Sequence, residues 1–310
     1  MTSPDRFGTS ARMLAHLRGD APGPTLIVIG GLHGNEPAGP AAMRSVADAL
    51  ESERVGLRGD LLLLLGNVRA LESGVRFLDR DLNRGWDAER LAALRAAGGP
   101  KTSEDREQLE LADTIEKAIA TSRGPVFLVD LHTTSAAGIP FAMCRDAAAA
   151  RRFAGALPLT LVLGLLDALA GTLAGYYGDR CLAVAVEGGQ NTDPTSERNH
   201  AAVIWLALAA AGVVDERLLP TLPVHRDVLA RTRGDLPRVL HVHQRHAITV
   251  EDRFEMAPGF ANIQRIGANE LLARDRAGEI RAPESGFVLM PLYQAMGDDG
   301  FFLGREVAEA

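Results

Sequence analysis

A chain of 310 residues that is 46% hydrophobic can bury a large core with a smaller unit beside it, and a net charge of −7 with a pI near 5.7 leaves no basic footprint for nucleic acid or an anionic membrane. Cys144 and Cys181 form no CxxC pair, and the longest apolar run, residues 201–214, is shorter than the roughly 20 residues that span a bilayer. MTSPDRFGTS has no charged-then-apolar leader pattern, so a cytoplasmic protein is expected.

The first strong element is an apolar run over residues 25–29, a buried strand that leaves through Gly30-Gly31 into Leu32-His33-Gly34-Asn35-Glu36-Pro37. Pro37 suits the first turn of a helix over 37–50. His33 and Glu36 then stand at the carboxyl end of a strand, where open α/β sheets place their chemistry. A second strand, 61–65, runs into Asn67-Val68-Arg69-Ala70 and the charged stretch from Arg76 to Arg84. Gly98-Gly99-Pro100 precedes a helix over 103–120, and a third strand, 126–131, ends at His132. Strands over 159–163 and 182–186 and helices over 166–174 and 194–211 continue the alternation, the last helix opened by Asp193 as N-cap and Pro194. The strand over 182–186 runs into Glu187-Gly188-Gly189-Gln190. Strand and helix alternate to about residue 215, which is α/β organisation.

A metal that performs hydrolysis needs three protein ligands and an open position. His33, Glu36 and His132 supply two neutral imidazoles and one carboxylate. One Zn2+ per chain so held keeps enough charge to acidify water to a pKa of about 7. A histidine beside a strand is often only a hydrogen-bonded structural residue, and His-x-x-Glu recurs by chance. Several polar clusters at successive strand ends are poorly explained by chance. Glu187 fits a general base and acid that moves the same proton from the attacking water to the leaving amine. Arg69 fits the oxyanion, and Asn83 with Arg84 fits a clamp for a substrate carboxylate. The alternative for the charged stretch is a surface network whose members neutralise one another. Asp130 shares a strand face with His132 and is expected to orient it.

With GGLHGNEPAG, NVRA, DLNR, DLHTT and VEGGQ in this order, nearly the whole chain resembles the aspartoacylase and succinylglutamate desuccinylase family. The resemblance implies a zinc carboxypeptidase-like mixed sheet flanked by helices, with a smaller C-terminal β domain. It implies that His33, Glu36 and His132 hold zinc, Glu187 handles the proton, Arg69 supports the oxyanion, and Asn83 and Arg84 bind the carboxylate. It also sets Tyr293 against a late active-site tyrosine. Aspartoacylases carry a further arginine before the catalytic glutamate for a second substrate carboxylate; residues 171–177 contain none, leaving Tyr177 or Arg180 as substitutes.

Residues 220–223, with two prolines, read as a linker between a catalytic domain over 1–220 and a β domain over 221–310. Two stretches of that β domain look like the hammerhead of a biotinyl or lipoyl carrier, but no lysine follows Lys117 to bear the cofactor. By the resemblance, this module lies beside the cleft and restricts it to small substrates. His241, His243 and His246 lack a carboxylate or cysteine at ligand spacing and are expected to be surface or interface residues rather than a second metal site. The expected activity is a zinc-dependent deacylase acting on a small N-acyl amino acid or related polar amine, with a homo-oligomer left open. A metallopeptidase and a catalytically silent ligand-binding protein are the alternatives, and Glu187 and Arg69 argue against silence.

Overall fold

The computed structural model describes residues 12–293 and 297–308; the N-terminal stretch read for a leader pattern lies outside the described residues. The strands are β1 (Met13–Arg18), β2 (Ala21–Gly30), β3 (Arg58–Leu65), β4 (Val126–Thr134), β5 (Phe141–Met143), β6 (Thr160–Leu163) and β7 (Leu182–Gln190). They continue with β8 (Val239–Ala247), β9 (Glu255–Met256), β10 (Gln264–Ile266), β11 (Leu271–Asp275), β12 (Gly278–Arg281), β13 (Gly286–Leu289) and β14 (Asp299–Glu306). The helices are α1 (Ala38–Ser52), α2 (Val68–Ser73), α3 (Ala88–Ala96), α4 (Ser103–Thr121), α5 (Ala148–Gly155), α6 (Leu165–Ala168), α7 (Leu173–Tyr177), α8 (Thr195–Ala210) and α9 (Leu222–Arg233).

Eleven strands form one mixed sheet in the order β1-β3-β2-β4-β7-β5-β6-β8-β14-β13-β10, and β12-β11-β9 make a smaller C-terminal sheet. β3, β2, β4 and β7 run parallel at its centre. Their side chains alternate between two cores. Leu26, Val28, Leu61, Leu63, Val129 and Val184 pack on the side of α1 and α8, whereas Ile27, Ile29, Leu62, Leu64, Leu128 and Ala183 face α4, α6 and α7. This period of two explains why these strands read as unbroken apolar runs: both faces are covered by helices. It also decides the site, because Asp130, His132 and Glu187 continue the parity of Leu128 and Ala183. They therefore emerge at the carboxyl ends of β4 and β7 on the α4, α6 and α7 side, with His132 directly opposite Glu187 in the register.

Two local expectations are corrected. The helix expected over 166–174 is two short helices, α6 and α7, because the chain turns at Gly171 with φ +71°, where a Cβ would meet the Arg84 carbonyl carbon at 2.6 Å. Residues 220–223, read as a linker, lead into α9 with proline in its first turn. β8 pairs in parallel with β6, and β14, β13 and β10 extend the same sheet, so the main sheet runs on through the C-terminal strands. A third apolar cluster, including Phe260, Leu272, Val288 and Phe301, fills the space between these strands and the smaller sheet. Among the described residues no helix is long and apolar enough to cross a membrane.

Candidate active site

β2 delivers His33 and Glu36 on a tight loop. A Cβ on Gly34 would lie 2.0 Å from the Ala70 carbonyl carbon, so only glycine lets α2 close over this loop. Glu36 Oε1 lies 2.8 Å from His33 Nδ1 and its Oε2 3.1 Å from His132 Nδ1. The Thr133 amide donates to Oε2 at 3.0 Å. All three side chains are buried. Burial opposes ionisation of Glu36, yet the two imidazoles hold it well below the usual carboxylate range. Burial likewise disfavours the charged rings, but the carboxylates Glu36 and Asp81 raise His33 against the opposing charge of Arg76, and Asp130 with Glu36 raises His132 further.

The remaining ring nitrogens meet carboxylates. His132 Nε2 is 3.1 Å from Asp130 Oδ2, and His33 Nε2 is 3.0 Å from Asp81 Oδ1. Such partners fix the tautomer and aim the other nitrogen. Asp81 was not singled out from the sequence, although it opens the Asp-Leu-Asn-Arg segment at a strand-distal loop. Glu104 was missed as well: from the first turn of α4 its buried carboxylate accepts from the amides of Leu78 (2.8 Å) and Asp79 (3.0 Å), fixing the loop that presents Arg76 and Asp81. A third positioning group, the buried His200, lies with Nε2 2.9 Å from the His132 carbonyl; burial lowers its pKa to about 4, so the neutral ring donates from Nε2.

His33, Glu36 and His132 offer ligand atoms that all lie within 4.8 Å of one another. Two imidazoles and a carboxylate with outer-shell carboxylates are a donor set suited to zinc. Beside them Glu187 is buried, and its Oε2 has no hydrogen-bond partner among the described residues. Burial pushes its carboxyl up to about 7. The fit is therefore good. Asp130→Ala is expected to weaken zinc binding about 10- to 100-fold while leaving the fold intact; competition against a chromogenic chelator, with circular dichroism as control, would discard the assignment if affinity were unchanged.

These groups line a cleft of about 370 Å³ together with Asn83, Arg84 and Arg76. Asn83 Nδ2 stands 3.3 Å from His132 Nε2, and its Oδ1 accepts from the Leu173 amide at 2.8 Å. Arg84 Nη1 donates to the Asn83 carbonyl at 3.1 Å, and Nη2 is 3.5 Å from Asp299 of β14, which is also paired with Arg245.

Two predicted residues are not brought here. Arg69 lies on α2 with Nη1 2.8 Å from Glu107, the carboxylate that also receives the buried Arg12, and it is absent from the cleft lining among the described residues. The helix that starts at Val68 turns it toward α4. Arg76 occupies the cleft instead, with Nη2 2.8 Å from Asp81 and Nη1 3.8 Å from Glu36. Tyr293 is 42% exposed; its hydroxyl accepts from the Phe260 amide (2.9 Å) and donates to the Ala257 carbonyl (2.7 Å), staking a loop of the C-terminal strands rather than lining the cleft. The substitutes considered for the missing arginine also sit elsewhere. Tyr177 is buried against Trp86 with Arg180 over its ring at 5.5 Å, and Arg180 reaches Glu116 at 3.2 Å. His243 pairs with Glu284 at 3.3 Å and His246 stacks on Phe301.

The profile of the succinylglutamate desuccinylase/aspartoacylase catalytic domain matches residues 22–197. An N-acyl-aromatic-L-amino acid amidohydrolase (carboxylate-forming) of Xenopus laevis is 33% identical over 112 residues, 36% of this chain and 34% of that protein. A succinylglutamate desuccinylase of Burkholderia lata is 30% identical over 115 residues, 37% of this chain and 32% of that protein. The matches thus span about a third of these relatives' length. Among solved structures, the product-bound ectoine utilization protein EutE (DoeB) from Ruegeria pomeroyi superposes with TM-score 0.67 at 20% identity, covering 94% of this chain and 87% of that one. A succinylglutamate desuccinylase/aspartoacylase from Rhodobacter sphaeroides gives 0.66 at 18% identity, covering 95% and 88%. At these identities the two structures establish a shared fold.

Proposed function

The chain belongs to the succinylglutamate desuccinylase/aspartoacylase family, and on that premise we propose that it is a zinc-dependent deacylase hydrolysing the amide bond of a small N-acyl amino acid. The observation that carries this reading is Glu187, a buried carboxylate with one oxygen unpartnered among the described residues and, in the strand register, opposite His132 of the three-residue candidate ligand set. The relatives' names, an amidohydrolase of N-acyl amino acids and a desuccinylase, point the same way. A zinc ion held by His33, Glu36 and His132 would supply Lewis-acid chemistry, polarising the acyl carbonyl and acidifying water to a pKa near 7. Glu187 Oε2 takes the proton of the attacking water and returns it to the departing nitrogen, so that a C–O bond replaces the C–N bond. Arg76 faces the oxygen that gains charge, held in place by Asp81. Asn83 and Arg84 receive the substrate carboxylate. A cytoplasmic location is part of the same proposal, and the buried, unpaired thiols of Cys144 and Cys181 support it.

The test is a panel of N-acetyl and N-succinyl amino acids beside dipeptides, offered to zinc-loaded protein. Release of free amino acid from the acylated panel is expected; cleavage of dipeptides alone would favour a peptidase, and no turnover would reject the hydrolase. On a hydrolysed substrate, Arg76→Ala should lower kcat about 10²- to 10³-fold, the loss typical of one oxyanion donor. Arg69→Ala should leave kcat within a few-fold. The reverse order would restore Arg69 to the oxyanion role.

A further inference from the structure

We propose that the amino acid released by this enzyme carries an apolar side chain, seated against Met143, Leu166, Leu169, Ala174, Ala185 and Phe302. This rests on the deacylase reading above and names its substrate class. All six line the cleft, and all six belong to one contiguous apolar cluster in which none is more than 7% exposed. Their position follows from the register. Ala185 precedes Glu187 by two residues on the same face of β7, one side-chain step of about 7 Å, and Met143 of β5 lies directly beside it. The patch therefore begins next to the group that handles the proton.

Its wall is tied to the carboxylate clamp. Leu166, Leu169 and Ala174 come from α6, α7 and their connection, the segment whose Leu173 amide donates to Asn83 at 2.8 Å and whose Gly171 carbonyl accepts from the Trp86 amide at 3.0 Å. A ligand with its carboxylate on Asn83 and Arg84 and its amide at Glu187 presents the substituent of its α-carbon to this wall. Phe302 of β14 closes the patch from the C-terminal side.

The charges in the cleft argue the same way. Among the described residues its arginines are Arg76 and Arg84, the first paired with Asp81 and the second with Asp299. Neither belongs to the apolar patch. A second carboxylate placed there would lose its water and, among the described residues, meet no arginine or lysine to pair with, while Asp298 and Asp299 add negative charge to the cleft. An apolar side chain instead exchanges water for hydrocarbon contact.

Two measurements on zinc-loaded protein test this: kcat/KM on N-acetyl derivatives of leucine, methionine, phenylalanine, aspartate and glutamate, and calorimetric binding of free leucine and aspartate. The apolar substrates should lead by about 10²-fold, and leucine should bind more tightly than aspartate. Leu169→Arg should narrow or invert both ratios, whereas Leu169→Met, which conserves volume, should keep them. The wild-type ratios decide even where the arginine variant fails to fold. Hydrolysis of the acidic substrates equal to or faster than that of the apolar ones would overturn the pocket assignment and leave the deacylase reading standing. Tighter binding of leucine without hydrolysis of any acyl amino acid would do the opposite. No hydrolysis of any acyl amino acid together with equal binding of leucine and aspartate overturns both.

Discussion

Glu187→Gln is expected to bind zinc normally and to lose about 10²- to 10⁴-fold in kcat, the range of a positioned general base and acid. The substitution keeps the shape of the side chain and removes its ability to accept and return a proton. Its stability should move the other way. Burial raises the folded-state pKa of Glu187 from 4.5 to about 7, so the folded chain binds this proton more tightly than the unfolded one. The protonated carboxyl therefore favours the fold at low pH, and that contribution is lost as pH rises from the unfolded value through about 7. The neutral amide escapes the loss. In metal-free protein the melting temperature of the variant relative to wild type should climb across this interval, and in the zinc-loaded enzyme the acid limb of kcat should vanish with the carboxylate. Undiminished kcat would remove Glu187 from the reaction, whatever the melting curves showed.

His132→Ala should cost more than the Asp130 substitution, because it removes a ligand rather than the group that aims one. Zinc affinity is expected to fall by more than the 10- to 100-fold typical of an outer-shell partner, and hydrolysis should drop to background. The same ring also partners Asp130 and Asn83, so part of the loss will appear as stability; the control is chelation of wild-type protein, which should abolish hydrolysis reversibly and lower the melting temperature by mass action. Metal analysis after dialysis gives the readout. One zinc per chain retained by the alanine variant would show that the ion is held elsewhere.

The parts of this site written in the sequence are those at the ends of strands. Apolar runs mark where β2, β4 and β7 approach the carboxyl edge of the sheet, and His33 just beyond β2, with His132 and Glu187 in the last residues of β4 and β7, were legible for that reason. Arg69 also follows a strand, but the start of α2 at Val68 directs it onto Glu107; which way α2 faces depends on α4, some 38 residues further along, and no local pattern records it. Arg76 was hidden by company. It sits in a run of alternating charges that reads equally well as a solvated loop, and it becomes a cleft residue because Glu104 and Asp81 fix that loop from the inside. Tyr293 fell to the same difficulty at longer range, since its hydroxyl is committed to backbone more than thirty residues away. The break between α6 and α7 turns on a single glycine whose positive φ an apolar helical pattern does not announce.

Among the described strands β14 comes last in the chain, yet it is inserted between β8 and β13 instead of being added at a margin. Until it arrives, β8 and β13 each present a row of unsatisfied amides and carbonyls, the geometry that recruits foreign strands. It also brings Asp299 to Arg84 and Phe302 to the apolar wall. The nascent chain thus carries all three candidate metal ligands long before it has a finished cleft, and removal of β14 is expected to leave those ligands in place while exposing two strand edges prone to pair with another copy.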